Sequence, residues 1–249
     1  MNQRSNWNRI AQWVVVLLCA FGLKSYYSTA SVDELRWILA PTKALVEVVS
    51  GESFEFESHA GYMNEDRSFL IAASCAGVNF LITAFLMLSI RKLLRDRSRS
   101  IEWRFIPAAG LIAYLVTLAA NTVRISVAIP LHRMPSQTAW LNPDQLHRLE
   151  GIAIYFGFLL LLFVVSEGAG SVENPRALRQ TLFPLLVYYA TTLGIPLANG
   201  AYRRGSDFWE HTLFLLIIPP MMILPLTAFR FFRPGRFPVT KHIEQTPDA

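Results

Sequence analysis

Long apolar runs alternate with short polar segments along the chain, and that alternation predicts its elements. The runs fall at about residues 10–27, 69–90, 105–129, 149–166, 181–197 and 212–229. Each reaches the roughly 17 apolar residues that a helix rising about 1.5 Å per residue needs to cross a bilayer. The expected fold class is all-α: a polytopic transmembrane helical bundle of about six spans, forming one integral-membrane domain over residues 1–249. Pro130 is expected to close the third span, because proline lacks the amide that continues a helix. The longest polar stretch, about residues 30–68, contains an apolar segment at 37–49 interrupted by Pro41. That segment is too short and broken to span, so it predicts an interfacial or re-entrant helix within an extracytoplasmic loop. Phe54, Glu55, Phe56 and Glu57 alternate as a short strand does. The tail from residue 230 is polar and basic, and no internal repeat is present.

Composition agrees with a membrane protein. The chain is 53% hydrophobic and 16% charged, and its charges cluster between the runs instead of spreading along amphipathic faces. A net charge of +5 does not point to nucleic acid, because the basic residues follow the spans. Fourteen Lys and Arg fall on the side of the two termini and eight on the other, with Arg124 inside the third span. The positive-inside rule then places both termini, and the 230–249 tail, in the cytoplasm of a bacterial cytoplasmic membrane. The first run lacks an A-x-A-like cleavage site and is expected to remain as a span. Cys19 and Cys75 have no CxxC or Cys/His spacing, so neither a metal nor any other cofactor is expected.

Within this topology three reactive side chains come to a similar outer depth. Cys75 lies about six residues, roughly 9 Å, below the outer end of the second run, and Arg124 roughly 7–8 Å below that of the third. His147 opens the fourth. Each has an inert reading: a buried Cys is commonly filler, as Cys19 is, an Arg near a span end can snorkel, and His132 competes with His147. An Arg inside a span costs about 2.5–3.5 kcal/mol, however, and so marks a paired or functional position. Together the three fit nucleophilic acyl transfer, with Cys75 as nucleophile, His147 as general acid and base, and Arg124 holding the oxyanion. Asn79, four residues after Cys75 and on the same helical face, and Asn121 are expected as supporting donors or as packing between helices. Glu150 either orients His147 or caps its helix.

Ser74-Cys75-Ala76-Gly77, Asn121-Thr122-Val123-Arg124-Ile125 and His147-Arg148-Leu149-Glu150-Gly151 resemble the three blocks of the exosortase/archaeosortase family, most of all its exosortase K branch. The resemblance covers about residues 69–160. It implies a membrane cysteine protease or transpeptidase that cleaves a C-terminal sorting signal of exported proteins. Its partners would be precursors ending in a short motif, a span and a basic end, with the lipid bilayer around them and no nucleic acid. It also implies the catalytic set Cys75, Arg124 and His147. Ala76 stands where many members have Ser, so no hydroxyl is needed there.

A transporter and a non-catalytic assembly protein are the readings outside enzymology. The middle of the expected spans holds no Asp, Glu, Lys or His to serve as an ion relay, which weighs against the first. A thiol-disulfide oxidoreductase would need a paired dithiol, and a serine protease of the GxSxG type has no matching segment.

Overall fold

The computed structural model describes residues 3–96, 102–133, 143–167 and 177–231. Helices α1 (Gln3–Thr29), α3 (Val78–Arg95), α4 (Phe105–His132), α5 (Pro143–Glu167) and α8 (Ser206–Phe231) form an all-α bundle. Among the described residues, five helical stretches are long and apolar enough to cross a membrane: Trp7–Thr29, Ala73–Arg95, Phe105–His132, Gln145–Glu167 and Phe208–Pro225. The expected 181–197 span is a shorter, broken helix. It consists of α6 (Ala177–Tyr189), a π-turn at Ala190–Gly194 and α7 (Ile195–Ala198). Of the five stretches, that of α3 is the most enclosed and those of α1 and α8 the least. Phe21, Leu18, Val165, Leu186 and Met221 remain exposed, a pattern suited to a lipid surround and not to water.

Antiparallel packing brings the chemistry to one end of the bundle. At the opposite end Arg9 Nη2 donates to the Leu93 carbonyl at 3.3 Å, so the start of α1 meets the end of α3. There too Arg91 is paired with Glu167, hydrogen-bonded to the Ser166 hydroxyl, and donates to the Ser166 carbonyl at 3.1 Å.

The 30–68 stretch folds over the other end. Ser31 and Glu34 exchange side-chain and backbone hydrogen bonds of 2.8–3.3 Å as a capping box ahead of α2 (Arg36–Ser50). Pro41 is accommodated inside α2, which buries Ile38, Leu39 and Val46 and packs on α4. The Phe56 neighbourhood is indeed a strand. Strand β1 (Phe54–Glu57) pairs antiparallel with β2 (Gly61–Asn64), which pairs in turn with β3 (Leu70–Ile71). Arg133 ties this sheet to the end of α4, reaching Glu52 at 2.8 Å and Asp66 at 3.6 Å.

The structure corrects three boundaries and, with the first, the depth of Arg124. Pro130 does not close α4, which continues to His132, because a proline in the last turn forfeits only one backbone bond. Arg124 is therefore eight residues from the helix end, about 12 Å along the axis and deeper than expected. The 69–90 run is not one helix: β3, a 3-10 turn at Ala73–Ala76 and left-handed Gly77 (φ 67°) precede α3. Helix α8 begins at Ser206, ahead of the expected 212–229 run, so Glu210 lies inside it. The tail beyond residue 231 lies outside the described residues.

Candidate active site

Cys75 is presented by an unwound segment. Its 3-10 turn carries the chain from β3 to α3, and Gly77 takes a left-handed conformation that a side chain would strain. A Cβ at Gly77 would also lie 2.7 Å from the Asn121 amide atoms, so glycine is what lets α4 approach. Asn121 uses that closeness, donating from Nδ2 to the Cys75 carbonyl at 2.8 Å and supplying the partner that the unwound backbone lacks.

From there a hydrogen-bond chain runs to the guanidinium. Tyr155 donates its hydroxyl proton to Asn121 Oδ1 at 2.5 Å and accepts from Arg124 Nη1 at 3.1 Å. Phe80 stacks on the Tyr155 ring with centroids 4.9 Å apart and planes 15° apart, while Arg124 lies over the same ring at 5.3 Å. Gly151 opens the approach: a Cβ there would stand 3.1 Å from Arg124 Nε.

Arg124 Nη2 meets His147 Nε2 at 2.8 Å. A guanidinium has donors only, so Nε2 must offer its lone pair. A hydrogen bond there puts the ring proton on Nδ1, which faces Glu150 Oε2 at 3.6 Å. The Glu150 side chain is 6% exposed and that of His147 46%. Neither carboxylate oxygen of Glu150 makes a hydrogen bond.

Cys75, His147 and Glu150 share a cavity of about 350 Å³ beneath the sheet, with Ser68 and Phe69 on its rim. His132, the competing imidazole, lines the same cavity and packs edge-on to Phe69 at 6.2 Å. The structure thus brings together Cys75, Arg124, His147, Asn121 and Glu150. It does not bring in Asn79. Left-handed Gly77 intervenes, so Cys75 and Asn79 do not share a helix face; Asn79 accepts from Lys24 Nζ at 2.7 Å and lines a different cavity.

Tyr155 is the participant that the sequence reading missed. A signal was present: His147, Gly151 and Tyr155 recur every four residues along one face of α5. Cys19, expected to be inert, is exposed on α1.

In comparisons with known proteins, no family model, no curated protein and no solved structure matches the chain.

Proposed function

We propose that this protein is a membrane-embedded cysteine peptidase or transpeptidase. It cleaves a C-terminal sorting signal of exported proteins at the outer face of the cytoplasmic membrane, through a thioester. The observation that carries the reading is the shared cavity, in which a thiol and an imidazole face the same space and a guanidinium bonded to the imidazole stands behind it.

In the first step His147 takes the Cys75 proton, and Sγ attacks the scissile carbonyl. Nε2 can accept that proton only after Arg124 releases it. The released guanidinium is then available to the oxyanion, so one movement arms the base and completes the anion site. Collapse of the tetrahedral intermediate breaks the C–N bond, and the imidazolium protonates the leaving amine. Glu150 balances the imidazolium while it exists. An amine or water then attacks the thioester, giving a proton to His147; the C–S bond breaks, and that proton passes to the departing Cys75 thiolate.

The test is co-expression with a precursor bearing a C-terminal motif, span and basic end, read by mass spectrometry of the product and by hydroxylamine trapping of the thioester. Cys75→Ala is expected to abolish processing, and Arg124→Lys to slow it by about 10²–10³-fold as the bidentate fork is lost. His147→Ala is expected to cost far more than His132→Ala. Continued processing by an inserted Cys75→Ala protein would overturn the mechanism, and no processing by the wild type would favour a transporter or a non-catalytic assembly protein.

A further inference from the structure

A second cavity, of about 630 Å³, lies between α1, α3, α5, the π-turn with α7, and α8. Lys24, Arg148 and His211 line it from three different helices, beside Asn79, Thr191 and Thr192. No carboxylate is among its described lining residues, and much of the remaining wall is apolar. Lys24 donates to Asn79 Oδ1 at 2.7 Å, a contact that fixes the ammonium at the wall and leaves its charge in place.

All three basic residues lie within stretches apolar enough to span a membrane. Nitrogen donors brought from three helices to one cavity in such a setting suit the oxygens of an anion. The helix wall is also distorted here. The π-turn at Ala190–Gly194 carries Thr191 and Thr192 to the lining, and Thr191 is locked to Thr83 of α3 by a 2.8 Å hydroxyl contact. Such wide turns occur frequently at functional sites.

We infer that this cavity binds a phosphate group, carried as an ester on a lipid or present as the free ion. A guanidinium fork, an ammonium and an imidazole suit the several oxygens of a phosphate, and the apolar wall suits the stem of an esterified one. The site is separate from the thiol chemistry. His147 lines the Cys75 cavity, whereas the next residue, Arg148, lines this one.

The test uses protein purified in an uncharged detergent and titrated with three probes: inorganic phosphate, dihexanoyl phosphatidylglycerol, and dihexanoylglycerol, which lacks phosphate. Thermal stability against probe concentration reports binding. Saturable stabilisation by a phosphate-bearing probe is expected, with none from dihexanoylglycerol. The apparent affinity is expected to fall about tenfold or more in the Lys24→Gln/Arg148→Gln double variant. Response to the phospholipid alone assigns a lipid headgroup, and response to inorganic phosphate assigns a soluble anion. The inference is overturned if the wild type shows no saturable response, if dihexanoylglycerol acts equally, or if the double variant retains wild-type affinity. The wild-type arm decides even if the double variant misfolds. Cys75→Ala is expected to bind as the wild type does, so loss of processing and loss of phosphate binding read out separately.

Discussion

The Tyr155 hydroxyl serves two partners at once, accepting from Arg124 and donating to fully buried Asn121. Tyr155→Phe leaves the ring stack with Phe80 in place and removes only that bridge. The unpaired Asn121 carbonyl oxygen is expected to cost about 1–3 kcal/mol, measured by unfolding in detergent. Processing is expected to fall with it, because the carbonyl support of Cys75 loosens; unchanged activity would show that the chain of hydrogen bonds is only structural. At this scale the sequence was legible where a residue type was out of place. A thiol, a guanidinium and an imidazole in or beside apolar runs announce themselves, and all three converge. Asn79 was misread because one left-handed glycine turns the chain between it and Cys75. Nothing in the apolar run around Gly77 signals that turn, since glycine is also common within membrane helices.

Among the contacts that hold the elements above the site, one carboxylate joins α2 to the sheet. Glu47, in the last turn of α2, accepts from Lys43 at 2.7 Å and from the Phe54 amide at 2.8 Å, so it holds the start of the sheet against the helix. Partial burial pushes its carboxyl upward, but the bonds from Lys43 and Phe54 outweigh that and hold it below its ordinary value of 4.5. A depressed value means that its contribution is present above that ordinary value and is lost as pH falls through the folded one. Hydrogen exchange at Phe54, corrected for intrinsic rate, is expected to accelerate on acidification in the wild type. In Glu47→Gln it should already be fast at neutral pH and insensitive to acid. The elements themselves were largely readable: alternation at 54–57 gave β1, and the apolar 37–49 segment gave α2. Helix ends were not, because packing carries α4 through Pro130 and α8 begins before its apolar run.

Across the whole molecule the far end of the bundle is held by Arg91 and Glu167, whose side chains are 13% and 15% exposed. Breaking one half of a buried pair removes the other charge's opposite partner, so Arg91→Ala is expected to cost about 3–5 kcal/mol in detergent unfolding. Arg91→Met/Glu167→Met should recover much of that loss. The order of the apolar helices and five of the six expected spans were visible in the hydropathy pattern, whereas the broken α6–α7 helix was not, because its π-turn answers to its neighbours. Arg124 has a further consequence, for biogenesis. Its partners His147 and Tyr155 belong to α5, which leaves the ribosome later. During synthesis α4 must enter the bilayer with an unmatched guanidinium, at about 2.5–3.5 kcal/mol, until the most apolar of the candidate spans arrives behind it. The two helices should therefore be integrated as a hairpin. In a glycosylation-reporter assay, a nascent chain ending before α5 is expected to integrate α4 inefficiently, and either Arg124→Leu or extension through α5 should restore it.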